Sequence, residues 1–69
     1  MTFADLKGAN LAGANLYRVN FSGADLTGAD VTGANFTEAD LDGTILKNVS
    51  GIGAATGMDM AVNRDRAVY

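Results

Sequence analysis

From residue 6 to residue 46 every fifth position carries a large apolar side chain: Leu6, Leu11, Leu16, Phe21, Leu26, Val31, Phe36, Leu41 and Leu46. That odd period rules out the two commonest ways of burying such a row. In an α-helix five residues advance roughly 500°, so successive centres fall about 140° apart and spread around the whole cylinder. In a straight strand side chains alternate with period 2, so an odd repeat sends every other centre to the opposite face. The solution left is a bend in every unit. Two residues before each centre lies a small or slim residue, Ala4, Ala9, Ala14, Val19, Ala24, Ala29, Ala34, Ala39 and Thr44. Between the two sits Asp or Asn in eight units, until Ile45 breaks the rule. Gly8, Gly13, Gly23, Gly28, Gly33 and Gly43 mark the corners, where glycine tolerates the backbone angles a bend requires. Small residue and centre then point inward, and Asn or Asp points out.

A chain that wraps around one interior stacks its coils at the inter-strand spacing of about 4.8 Å, each coil satisfying the next through parallel backbone bonds. Units such as Ala9-Asn10-Leu11-Ala12-Gly13 and Ala24-Asp25-Leu26-Thr27-Gly28 resemble those of the pentapeptide-repeat proteins, A-[D/N]-L-x-x, over residues 4–48. The departures are Val19, Val31, Thr44, Ile45 and the two phenylalanine centres. The resemblance implies an all-β solenoid, a right-handed quadrilateral parallel β-helix of about two coils. Positions twenty apart would then stack: Leu6 with Leu26 and Leu46, Leu11 with Val31, Leu16 with Phe36, Phe21 with Leu41. Between residues 8 and 43 only Arg18 and Glu38 replace glycine at a corner, and these opposite charges are themselves twenty residues apart. Asn15 over Asn35 is expected to form an outward ladder, and Asp5 beneath Asp25 to bring like charges together.

The period is lost after the segment Val49-Ser50-Gly51-Ile52-Gly53, which divides the chain into a repeat region, 1–50, and a tail, 51–69. Met58, Ala61 and Val62 lie at helical spacing and predict a short C-terminal capping helix, with Asn63 opening a second turn from Arg64 to Tyr69. Met58, Val62, Val68 and Tyr69 are expected to cover the last coil. The opposite end has only Met1 and Phe3, thin cover for an exposed edge. Self-association through a coil end, at Phe3 or at Tyr69, follows as an expectation.

Composition narrows the chemistry. Cysteine and histidine are both absent, which removes disulfides, thiol nucleophiles, zinc-type ligand sets and the commonest catalytic base. Ser22 and Ser50 therefore have no histidine to activate them. Asp5, Asp25, Asp30, Glu38, Asp40 and Asp42 are read as solvated surface groups on different faces rather than as a metal site or an acid–base pair. No metal, cofactor or catalytic residue is expected, and the chain is not read as an enzyme. A net charge of −3 and a pI near 4.4 argue against direct DNA or RNA binding, which needs clustered Lys and Arg. No apolar stretch approaches the roughly 18 residues of a spanning helix, and no signal-peptide pattern opens the chain. The expectation is a soluble protein without membrane insertion, cytoplasmic by default, or in the thylakoid lumen if a targeting segment has been removed. Three N-x-[ST] sequons, at Asn20, Asn35 and Asn48, are by-products of a repeat that alternates amide, apolar and hydroxyl residues.

A scaffold that contacts another protein is the function these features favour. Tyr17 and Arg18 are large where neighbouring units are small, and with Glu38, Phe3 and Tyr69 they are the candidate contact residues. Short members of the resembled family are common in photosynthetic organisms, often without assigned activity, and others mimic DNA and inhibit DNA gyrase. That second role requires roughly six to eight clustered charges on a rod of this height. The repeat region has six acids and three bases, Lys7, Arg18 and Lys47, dispersed over four faces.

Overall fold

Each five-residue unit closes its own turn and passes its remaining backbone groups to the unit twenty residues away. Ala9 donates its N–H to the Leu6 carbonyl at 3.0 Å; the Leu6 N–H reaches the Asp25 carbonyl at 2.8 Å, and the Asp25 N–H reaches the Ala4 carbonyl at 2.9 Å. The corner adds a fourth bond, Gly8 N–H to the Thr27 carbonyl at 2.9 Å. Repeated along the chain, this pattern lays residues 1–69 of the computed structural model over themselves with four units to a coil.

No extended strand or sheet forms. Successive coils meet instead at isolated parallel bridges one residue long, Asp5 with Asp25, Asn10 with Asp30, Asn15 with Asn35 and Asn20 with Asp40, and the register continues into the next coil with Asp25 on Ile45 and Asp30 on Ser50. The bend in every unit is the reason: one residue per side keeps both its N–H and its C=O aligned with the neighbouring coils before the chain turns. The expected vertical stacking of centres twenty apart follows this register. Every corner residue from Phe3 to Asn48 has positive φ, and four of them, Phe3, Arg18, Glu38 and Asn48, are not glycine.

The core lies in the middle coil. Phe21, Leu26, Val31, Phe36 and Leu41 are fully buried, with Ala24, Ala29, Ala34 and Ala39 filling the narrower inward positions. The Phe21 and Phe36 rings meet with centroids 6.2 Å apart and planes inclined at 51°, a tilted arrangement favoured by the ring quadrupoles. Thr44, the one buried polar side chain, donates its hydroxyl to the Phe21 carbonyl at 2.8 Å, so its oxygen carries no desolvation penalty.

The tail departs from the capping helix predicted for it. Residues 51–69 contain three single 3-10 turns, Ile52–Ala54, Met58–Met60 and Arg64–Arg66, each entered through a left-handed residue, Gly51, Gly57 and Asn63. Between the turns Thr56, Val62 and Val68 bridge to Asn35, Asp40 and Ile45. The tail therefore extends the stack beyond the expected two coils to three and the start of a fourth, with six-residue units in place of five. Val49 and, within the tail, Ile52, Ala55, Met58, Ala61 and Ala67 pack half-buried against the core, as expected for Met58, while Val62, Val68 and Tyr69 are exposed rather than laid across the end. The helical spacing of Met58, Ala61 and Val62 coincides with a six-residue period, whose extra residue is taken up in the 3-10 turn.

Candidate functional site

The outward Asp and Asn side chains do not form ladders between coils. Asn15 Oδ1 accepts the Tyr17 N–H at 3.2 Å and Asn35 Oδ1 accepts the Thr37 N–H at 3.0 Å. Asp5 and Asp25 turn in the same way onto Lys7 and Thr27. A short side chain reaches its own backbone two residues on at little entropic cost, which is why this Asx turn prevails over the longer reach to another coil. The like charges of Asp5 and Asp25 are thereby each satisfied locally.

Where threonine follows, the turn tightens. Thr27 Oγ1 donates to Asp25 Oδ1 at 2.6 Å and Thr32 Oγ1 to Asp30 Oδ1 at 2.7 Å. The threonine hydroxyl first, and its backbone N–H second, hold both carboxyls below the ordinary aspartate range. A depressed folded-state pKa gives stabilisation that is complete above the unfolded value and is lost as pH falls through the folded one. The variant Thr27→Val/Thr32→Val is therefore expected to lose less stability than the parent between about pH 5 and about pH 2. Urea midpoints across that range check it; equal losses would remove the hydroxyls as the cause.

Three of the five candidate contact residues converge. The Arg18 guanidinium lies 5.1 Å from the Tyr17 ring centroid, within cation–π range, and its Nε reaches Glu38 Oε2 at 3.3 Å. The Tyr17 hydroxyl, and after it Arg18, hold the Glu38 carboxyl below its usual range; of the two, only the Arg18 contact has full hydrogen-bond geometry. Both charged side chains remain open to water, so the pair contributes little to stability. Their backbones sit at φ 60° and 58°, a conformation disfavoured for side chains of this kind.

Phe3 and Tyr69 lie apart from this cluster. The Phe3 ring is 83% exposed and rests over Gly23, where an added Cβ would meet it at 2.5 Å. Tyr69, at the other end, places its hydroxyl 3.4 Å from the Arg64 carbonyl. Two further contacts escape a reading of the sequence: Arg66 with Asp42 at 3.8 Å, and the Asn63 amide with Asp40 Oδ1 at 3.2 Å. Their separations of 24 and 23 residues are visible only through the six-residue period of the tail. No pocket opens in the surface, so the candidate site is an exposed face.

A family model of pentapeptide repeats in eight copies matches residues 1–37 and, overlapping them, 14–50. The chain belongs to the pentapeptide-repeat family. Neither a curated protein nor a solved structure matches it. Within this family member the bases are confined to the coils on either side of the middle one. Residues 23–44 carry Asp25, Asp30, Glu38, Asp40 and Asp42 with no Lys or Arg. Arg18 in the coil before and Arg66 in the coil after each pair with one of these acids, and Lys7 and Lys47 both act on Asp25. No helix in the molecule is long and apolar enough to cross a membrane.

Proposed function

We propose that this pentapeptide-repeat chain is a non-enzymatic scaffold, a right-handed four-sided β-helix that binds another protein through the face carrying Tyr17, Arg18 and Glu38. The observation that carries the reading is the occupancy of the corners. Glycine fits the left-handed corner at no steric cost, and a side chain there costs about 1 kcal/mol; Arg18 holds such a corner while most others are glycine. A strained residue with little structural return points to a role outside the fold. The exposed Tyr17 ring, pre-oriented by the cation above it, is the kind of aromatic and arginine pair that anchors protein interfaces.

The expected result is a dissociation of stability from binding. Arg18→Gly retains or raises the urea midpoint, whereas Arg18→Gly and Tyr17→Ala each lose the protein captured by the parent chain in cross-linking mass spectrometry. Capture of the same partner, undiminished, by both variants would sink the proposal.

The alternative is a DNA-mimicking inhibitor of DNA gyrase, and the acids concentrated in the middle coil are the observation in its favour. They ring the waist of the stack, however, and the stacked columns are short in charge: Asp5 and Asp25 are followed by Ile45, Asn10 and Asp30 by Ser50, Asn20 and Asp40 by Val62. A phosphate-like rod needs charge repeated along its axis. Inhibition of gyrase supercoiling at micromolar concentration would favour mimicry over the scaffold reading.

A further inference from the structure

The two ends of the stack are finished differently. At the C-terminal end Arg64 donates to the Met58 carbonyl at 3.2 Å and the Tyr69 hydroxyl donates to the Arg64 carbonyl at 3.4 Å, so side chains bond backbone carbonyls of the last turns. The first coil has no such bonds. Leu6 and Leu11, with Ala4, Ala9, Ala14 and Val19, are only half-buried. The N–H and C=O groups of Asp5, Asn10, Asn15 and Asn20 take part in no backbone bond, although each counterpart in the next coil has both groups paired. Natural sheet edges are blunted by charge, proline or a bulge. Here three of the four edge residues are neutral amides, and the chain has no proline.

We infer that this end is a homodimer interface, in which the first side of the first coil, residues 4–7, pairs antiparallel with the same segment of a second copy. Charge selects the register. A coil rises about one strand spacing over its four sides, so residues 4–7 stand furthest toward an approaching copy among the four bridged sides of that coil. A two-fold axis through Leu6 sets Leu6 against Leu6 of the second copy and Asp5 against Lys7, twice. The parity of the strand keeps each charged pair on the outside and the leucines within. The Asp5 N–H then meets the Lys7 carbonyl of the second copy, both groups being unpaired in the single chain. Phe3 falls beside the corner at Gly8 of the second copy, where even a Cβ would meet nothing within 4 Å. The bridging residues of the other three sides are Asn10, Asn15 and Asn20, which carry no charge. A second copy thus pairs the Asp5 N–H, covers Leu6 and sets each Asp5 against a Lys7 in one symmetric contact.

Molecular extents of 23 × 21 × 18 Å limit such an end face to roughly 400 Å² per copy, below the standard interface size, so the dimer is weak, with a Kd on the order of tens of micromolar. Sedimentation velocity from about 1 to 500 µM is expected to show a monomer–dimer equilibrium. Lys7→Glu and Asp5→Lys, each introduced alone, place like charges together and weaken dimerisation about tenfold or more. Mixing the two variants restores it, because each then supplies the charge the other lacks. Tyr69→Ala, at the far end, leaves the equilibrium unchanged, and unchanged urea midpoints establish that the charge variants remain folded. A monomer at every concentration, a dimer indifferent to Lys7→Glu, no recovery on mixing, or loss of the dimer in Tyr69→Ala would each overturn the inference. The Tyr17–Arg18–Glu38 face is untouched by these variants, so partner capture there fails or succeeds independently.

Discussion

Gly57→Ala is expected to cost roughly 3–4 kcal/mol, while Gly28→Ala costs about 1 kcal/mol, although both glycines occupy the same left-handed conformation. Gly57 has φ 76° and Gly28 φ 71°. The difference lies in what a methyl group would meet. At Gly57 it would strike the Thr37 hydroxyl and come within 2.5 Å of the Thr37 backbone nitrogen and 2.8 Å of its Cα; at Gly28 nothing lies within 4 Å. A flexible side chain can step aside, but the Thr37 backbone is fixed by its own turn and by the Arg18 N–H bonded to its carbonyl at 3.0 Å. Gly57→Ala must therefore lift the third coil from the second, opening the Thr56 and Val62 bridges. A chain of this length has a total stability on the order of 3–10 kcal/mol, so the loss is a large share of it. Urea unfolding is expected to show a lowered midpoint together with a smaller m-value, the mark of a native state that has already exposed surface. Equal midpoint shifts for the two variants would show that conformation alone, rather than the close approach, governs these positions. Gly51, against Thr32, is placed in the same way and should behave as Gly57 does.

Phe36→Ala is expected to cost about 3–5 kcal/mol, a large share of the total stability. Phe36 is fully buried, packs on Phe21 and stacks in the column of Leu16. Its coil is clamped by backbone bonds on both sides, so the interior cannot collapse to fill the space. Phe36→Leu keeps the apolar contact and should cost less than about 1.5 kcal/mol. Tyr17→Ala, on the outside of the same repeat region, should change stability by less than about 0.5 kcal/mol. Circular dichroism with urea titration distinguishes the three. A folded Phe36→Ala with a midpoint near the parent's would mean that the hydrogen-bonded coils, and not the packed interior, hold the molecule together.

The repeat region is readable because each of its positions has one geometric meaning. A five-residue period with a small residue and a large one at fixed offsets admits one inside and one outside, and the twenty-residue stacking follows from the family resemblance. Arg18 and Glu38 can be paired from the sequence alone because both replace glycine at a corner and lie one coil apart. Tyr17 comes with them as a neighbour in sequence. The tail resists the same reading because its period changes. Val49, Ala55, Ala61 and Ala67, with Gly51, Gly57 and Asn63, repeat every six residues and so fall out of step with the five-residue period. Three residues of the tail then happen to match helical spacing. Asp42–Arg66 and Asp40–Asn63 are hidden for the same reason. The Asn15–Asn35 ladder fails on a different ground, since stacking fixes which residues are neighbours but not which partner a short side chain prefers.

The Asx turns bear on how such a molecule changes over time. Because Asn10, Asn15, Asp30 and their equivalents spend their side-chain oxygens on their own backbone, the residue that follows each centre need donate only its N–H to the arrangement, to which threonine adds its hydroxyl. Lys7, Ala12, Tyr17, Ser22 and Asp42 all occupy that place with the same bond. Any residue except proline supplies it. These positions form an open alphabet written over an unchanging frame, on which a new binding face can accumulate one substitution at a time while folding stays out of selection's reach.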